Sequence, residues 1–496
     1  MYSIGFDIGS SSVKAALVET SSGKSIAVVH EPANEMDIYA PQVSWAEQQP
    51  DMWWKHVCVA SKRLLSENDI DAKQVKGIGI SYQMHGLVVV DKTGTPLRNA
   101  IIWCDSRAVS IGEKAFSDLG VVKCMGHLLN SPANFTASKL KWVHDNEPAE
   151  YEKIHKYMLP GDYIAYKFSG LMRTTANGLS EGTLWDYKEN KAADWLLDYY
   201  GLDRSLTPEI VSNFSSQGNV DKAGAKASGL AVGTPIMYRA GDQPNNALSL
   251  NVLSPGEVAA TAGTSGVVYA LTDKTTSQEP ERINHFAHVN YTKTTPTVGK
   301  LLCINGSGIQ YRWMKNNSGN PSYPQMNQLA AQEPIGSNGL LVLPFGNGAE
   351  RMLHNKNVGA QFVNIDLNTH HSAAMYRAVL EGIAFSFVYG MEIMAKDQTE
   401  MKVIRAGNDN LFQSEVFSNT IATLVGQEIE LYNTTGAVGA ARAVSLNQND
   451  LKAFGAAVSQ HDYVSSFTPL ANKAQYQEAY QEWKAHLQTI LTHKHK

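Results

Sequence analysis

Two acids and two hydroxyl-rich turns stand out as able to do chemistry together. Near the middle of the chain, Ala240-Gly-Asp-Gln-Pro-Asn-Asn-Ala247 puts the carboxylate of Asp242 on a sharp backbone turn, where it can take a proton from an attacking hydroxyl. Shortly after it, Gly263-Thr264-Ser265-Gly266 interrupts an apolar segment, and backbone N–H groups in such a turn can receive a phosphate. The N-terminus repeats the pairing. Asp7 precedes Gly9-Ser10-Ser11-Ser12, with Lys14 adding a positive charge. Asp7 can hold a magnesium ion through its waters. The Walker pattern G-x-x-x-x-G-K-[ST] is not what is written here. Each motif is also an ordinary turn composition, so the elements around them must decide.

Those elements alternate between strand and helix. Tyr2–Phe6, Ala15–Val18 and Ser25–Val29 read as three strands, and a helix starts near Asp51 with Trp53, Val57, Ser61 and Leu64 on one face. Val75 to Tyr82 is a strand interrupted by Gln83-Met84-His85-Gly86, and Ile101-Ile-Trp-Cys-Asp105-Ser-Arg107 leaves another. Ligand sites of α/β folds concentrate at such strand ends. Asp105 and Arg107 read equally as a substrate contact or a local ion pair. Pro235–Tyr238 leads as a short buried strand into Asp242. His371 to Ala395 is a long helix whose methionine and aromatic positions are core, and Gly436-Ala-Val-Gly-Ala-Ala441 suits tight helix packing. A final amphipathic helix carries Tyr476, Tyr480 and Trp483, and His493-Lys-His-Lys496 is expected to be frayed and solvated.

The length of 496 residues implies two or three cores. Apolar residues at 43% and charged residues at 18% fit a globular protein, and a net charge of -5 gives no basic footprint for nucleic acid. The four cysteines are scattered without a Cys-x-x-Cys pair, which fits a reducing compartment. No basic, apolar leader and no membrane-spanning run is read, so a cytoplasmic location is expected.

Asp7-Ile-Gly, Trp45-Ala-Glu-Gln48, Gln83-Met-His-Gly86, Trp103-x-Asp-x-Arg107 and Gly241-Asp242 occur in one order. In that order they resemble the FGGY carbohydrate kinases. Phe135-Thr-Ala-Ser-Lys-Leu-Lys-Trp142, Leu159-Pro-Gly-Asp-Tyr-Ile164, Ser180-Glu-Gly-Thr183 and Phe345-Gly-Asn-Gly-Ala-Glu-Arg351 are similar to further landmarks of the family. The resemblance implies an α/β protein of two ribonuclease-H-like domains, as in actin, hexokinase and the large chaperone ATPases, with an interdomain cleft. The implied boundaries are 1–246, 247–445 and a helical extension at 446–496. It implies ATP and Mg2+, with Asp242 as base, Asp7 at the metal, and Gly9, Ser10, Ser11, Ser12, Lys14, Gly263, Thr264 and Ser265 around the phosphates. Met84, His85, Asp105, Asp242 and Gln243 would line the sugar pocket, His85 donating to a sugar oxygen. Gly407, Asn408 and Ser414 would lie against adenosine, although the family's glycines are replaced at Asn408 and Asp409. Gln83-Met-His-Gly86 resembles the members that phosphorylate D-xylulose, whereas Gly-Asp-Gln243 is similar to those acting on glycerol and ribulose. Another ketose or polyol (ribulose, glycerol, erythritol) therefore stays open, as do a homodimer and a non-enzymatic sugar- or nucleotide-sensing regulator on the same fold.

Overall fold

The computed structural model describes residues 1–445 and 450–493; 494–496 of the terminal His-Lys-His-Lys segment lie outside the described residues. In the first half the strands are β1 (Tyr2–Ile8), β2 (Val13–Glu19) and β3 (Ser25–Glu31), followed by helix α1 (Pro50–Glu67), β4 (Val75–Tyr82), α2 (Thr136–Asn146), α3 (Ala176–Glu181), β5 (Ile236–Gly241) and α4 (Asp242–Ser249). β1, β2 and β3 form an antiparallel meander, and β4 and β5 add to it in parallel, giving the order β5-β4-β1-β2-β3. Proline at the start of α1 supplies the helical φ without sacrificing a hydrogen bond. The face of α1 formed by Trp53, Val57, Ser61 and Leu64 is buried, its apolar members joining Ile4, Phe6 and Ile80 in one core.

The second half repeats this plan with β6 (Glu257–Ala262), β7 (Gly266–Thr272), β8 (Asn284–Ala287), β9 (Val298–Ile304), α5 (Gly308–Asn317), β10 (Leu341–Phe345), α6 (Ser372–Lys396), β11 (Val403–Gly407), α7 (Glu415–Val425), β12 (Ile429–Tyr432), α8 (Gly436–Ala443), β13 (Tyr463–Phe467) and α9 (Lys473–His493). β6, β7 and β9 make the meander, β11 and β12 run parallel to β6, and β8 and β13 add an antiparallel strand at either edge. The duplicated topology is ribonuclease-H-like. α6 has the length and apolarity of a membrane span, but 83% of its most apolar window is buried in the second core.

The halves exchange helices. α8, from the second half, lies across β1, β2 and β4 of the first sheet, while α4, from the first half, reaches β6 and β7. Gly5 and Gly79 face each other in register on β1 and β4. A Cβ on either would collide with the α8 backbone, at the carbonyls of Ala437 and Ala440. The small residues of α8 and the missing side chains beneath it thus allow backbone-to-backbone approach. Residues beyond 450 are not a separate extension: β13 completes an edge of the second sheet. Trp483 of α9 is fully buried, its indole N–H 2.8 Å from the Val342 carbonyl.

Candidate functional site

The topology brings the chemical residues to one place. β1 and β5 are parallel strands of one sheet, flanking β4, so Asp7 near the end of β1 and Asp242 just beyond β5 emerge at the same edge. Asp242 is the first residue of α4 and half-buried. Burial, with the Asp7 carboxylate second, pushes its pKa up to about 7; the Gln243 backbone and side-chain amides, donating to it, pull the other way. Desolvation beside a like charge thus poises this acid near neutrality, well above an ordinary aspartate. Asp7 Oδ1 accepts from Ser81 Oγ at 2.8 Å, and Lys14 stands directly opposite Asp7 on β2.

The two hydroxyl-rich turns occupy equivalent points of the duplicated fold. Gly9 to Ser12 join β1 to β2, with Gly9 N–H donating to Ser12 O at 3.0 Å and Ser11 exposed. Gly263 to Ser265 join β6 to β7, with Thr264 and Ser265 exposed. The N-terminus of α5 is fastened to this second turn, Gly308 N–H donating to Gly263 O at 2.9 Å and Ile309 N–H to Thr264 O at 3.1 Å. From there a cavity of about 960 Å³ opens, lined by Gly263, Thr264, Tyr311, Gln328, Asn410 and Leu411 among others, a volume suited to a nucleoside.

His85 takes a left-handed φ of 63° and packs its ring between Phe135 (4.7 Å) and Phe286 of β8 (5.2 Å). Its Nδ1 lies 2.7 Å from the Glu181 carbonyl oxygen. A carbonyl only accepts, so Nδ1 carries the proton. Burial, then the nearby Lys139 ammonium, depress the ring's pKa to about 3, so the imidazole is neutral and Nε2 is a bare acceptor. His85 is expected to donate to a sugar oxygen; in this tautomer the ring nitrogen left free, Nε2, is an acceptor.

Models of the N-terminal and C-terminal domains of the FGGY family of carbohydrate kinases match residues 2–249 and 258–446. The chain belongs to this family. It is 28% identical over 442 residues to the xylulose kinase of Staphylococcus xylosus, covering 87% of this chain and 89% of that protein. Among solved structures it superposes on the xylulose kinase of Rhodospirillum rubrum with a TM-score of 0.87 at 22% identity, covering all of both chains. It superposes equally on Plasmodium falciparum glycerol kinase with ADP, TM-score 0.87 at 17% identity, over 99% of this chain and 98% of that one. This FGGY protein is thus a carbohydrate kinase, and ATP is the phosphoryl donor of the family.

Several residues expected in the kinase's site are placed otherwise. Asp105 is fully buried, its carboxylate taken by Arg107 (2.7 Å to Nη2) and by the Ala46 N–H at 2.6 Å. It exposes nothing to a sugar, and it fixes Arg107 between Glu47 and the ring of Trp45. From the same motif it is Trp103 that is exposed, its Nε1 3.4 Å from Ser10 Oγ. Ser414 is buried as the N-cap of α7. The cavity is bordered by Asn410, Leu411, Gln413 and Glu415, and not by Gly407 or Asn408. The left-handed turn falls on Asn410, φ 49°. Met84 is 4% exposed and packs on Gly241, the residue before Asp242.

The FGGY kinase also relies on buried polar residues that were read only as landmarks. Gln48 donates to the carbonyls of Ser10 (2.7 Å) and Asp37 (3.1 Å) and accepts from Trp53 and Gln83, tying the first turn to the Gln83–Gly86 segment. Lys139 donates to the carbonyls of His85 (2.8 Å) and Ile102 (3.0 Å); burial lowers its pKa to about 7. Glu181 supplies the carbonyl for His85, and its own carboxyl, packed under Gly241, is raised well above the usual range by burial. Polar residues inside otherwise apolar segments were the available signal.

Proposed function

We propose that this kinase transfers the γ-phosphoryl group of ATP to the primary C5 hydroxyl of a ketopentose, D-xylulose foremost, as a cytoplasmic enzyme. The observation that carries this is the position of Asp242, an acid poised near pH 7 at the sheet edge it shares with Asp7 and the first hydroxyl-rich turn, directly after Gly241, on which Met84, the neighbour of His85, packs. With ATP in the 960 Å³ cavity, its phosphates reach toward Gly9–Ser12 and Gly263–Ser265, whose amides and hydroxyls bind them from the two sheets. The sugar lies against His85 and Gln243. Asp242 accepts the hydroxyl proton as the oxygen attacks the γ-phosphorus; positioning and charge stabilisation supply most of the acceleration.

The carboxylates of Asp7 and Asp242 raise the negative potential of this edge, and Lys14 offsets only part of it. Among the described residues no group of three or more His, Cys, Asp or Glu could enclose a metal. That donor set fits magnesium held through its waters at Asp7 and by phosphate oxygens, an ion that keeps much of its hydration. Bound there, it neutralises phosphate charge.

The test is ADP release by the purified protein with ATP and magnesium against D-xylulose, D-ribulose, L-ribulose, glycerol and erythritol. D-Xylulose should give the highest kcat/KM. Gln243 favours a second reading, a polyol acceptor, and preference for glycerol or erythritol would establish that one instead. Inactivity with every acceptor would point to a regulator.

A further inference from the structure

Among the described residues Arg351 makes no direct ion pair, the Glu281 carboxylate acting on it only at longer range. The buried arginines 107, 239, 377 and 442 each pair with a carboxylate: Asp105, Asp162, Glu381 and Asp462. Arg351, half-buried in the second half of the chain, has no carboxylate partner among the described residues. Its Nε donates to the Glu281 carbonyl at 2.6 Å and its Nη1 to Asn284 Oδ1, both neutral acceptors. No protein group among the described residues takes Nη2. The loop that carries it is rigid: the preceding residue, Glu350, is fully buried and accepts from the N–H groups of Asn305 (3.0 Å) and Gly306 (2.7 Å). Holding a desolvated guanidinium in place with a free edge is costly unless a ligand completes it.

The neighbourhood says which ligand. Asn284 and Phe286 are two apart on β8 and so share a face of that strand. Asn284 holds Arg351, while Phe286 packs on the His85 ring at 5.2 Å. Guanidinium and imidazole therefore flank one wall, built from both halves of the chain. The halves are stitched at this point by Asn130, which accepts from the His285 N–H at 2.9 Å and donates to its carbonyl at 2.6 Å. In keeping with that proximity, burial, Lys139 and then Arg351 all act to keep His85 neutral.

A ketopentose closes its furanose ring by adding the C5 hydroxyl to the C2 carbonyl. If the C5 hydroxyl is free to be phosphorylated, the C2 carbonyl is open and needs a donor. His85 Nε2 can only accept, and two of the three Lys139 protons already point to backbone carbonyls. We propose that Arg351 Nη2 donates to the carbonyl oxygen of the open-chain sugar while His85 Nε2 accepts from a neighbouring hydroxyl, so that the pair selects the ketose over its alditol. This rests on the ketopentose reading given above.

The test compares D-xylulose with its two reduction products, xylitol and D-arabinitol, which keep the other hydroxyls and replace the carbonyl by one more. The wild type should prefer the ketose by about 10- to 100-fold in kcat/KM, the range of a hydrogen bond to a charged group. Arg351→Gln should lose about that factor on the ketose alone, so the preference collapses while the KM for ATP holds; added guanidinium should restore ketose turnover. Arg351→Lys, which keeps the charge but not the planar fork, serves should the Gln variant misfold, and should also lose preference. An unchanged ketose-to-alditol ratio in both variants, or an equal loss on all three acceptors, overturns the assignment. A wild type equally active on ketose and alditol overturns it while leaving the ketopentose reading intact. A wild type inactive on every ketopentose overturns both.

Discussion

Asp7 on β1 and Asp242 just beyond β5 stand at the same edge of the first sheet, with only β4 between those strands, and after burial it is the charge on Asp7 that most raises the pKa of Asp242. The surroundings of the two acids differ: Asp7 is hydrogen-bonded by Ser81 and faces Lys14, while Asp242 is desolvated, a difference that suits the separate roles proposed for them.

A base with a pKa of about 7 makes the free enzyme's kcat/KM fall on the acid side of neutrality, by about tenfold per pH unit below that value. A profile flat down to pH 5 would refute the assignment. Asp242→Asn should reduce kcat by on the order of 10²–10⁴-fold while sugar binding, followed by calorimetry, persists.

The same residue costs the fold stability. In the native state its pKa is raised from 3.8 to about 7, so between those values the folded chain holds a proton that the unfolded chain has released. Its contribution is fully present below pH 3.8 and lost as pH rises to about 7. The Tm of Asp242→Asn should therefore gain on that of the wild type between pH 4.5 and pH 7.5 (roughly the window that linkage sets). A Tm difference independent of pH would show that the native pKa is ordinary.

Asp105→Asn removes half of a buried pair and leaves Arg107 facing Glu47 alone. Loss of about 3–5 kcal/mol in denaturant unfolding is expected, with the sugar KM of the folded protein unchanged. A large rise in sugar KM at wild-type stability would restore Asp105 to the pocket.

Gly308 meets Gly263 so closely that a Cβ would strike its carbonyl. Gly308→Val should displace the second turn and raise the KM for ATP well above that for sugar. Equal effects on both substrates would mean that the turn does not touch nucleotide.

The sequence was most informative about which residues lie at a strand end or tight turn. The placing of Asp7, Asp242 and both hydroxyl-rich turns read directly, because strand periodicity and turn chemistry are local. α1 and α6 were legible for the same reason, one from its buried face and one from methionine and aromatic positions on neighbouring turns. What resisted reading is decided by long-range pairing. Asp105 looks like a ligand until Arg107 and Ala46 are seen to consume it, and Ser414 like a contact until it caps α7. The tautomer of His85 depends on a carbonyl 96 positions away. The helix exchange was invisible: small residues in α8 announce close packing, but not which sheet they pack on.

That exchange bears on how the chain is born. The strands of the first sheet are all synthesised once Gly241 has left the ribosome, yet the helix that covers β1, β2 and β4 begins only at Gly436. From the emergence of Gly241 until that of Gly436, one face of the nascent first sheet lacks its cover, and an uncovered apolar face invites association with other chains. Final closure must wait for almost the whole polypeptide, so the two halves mature together at the end of synthesis and not one after the other.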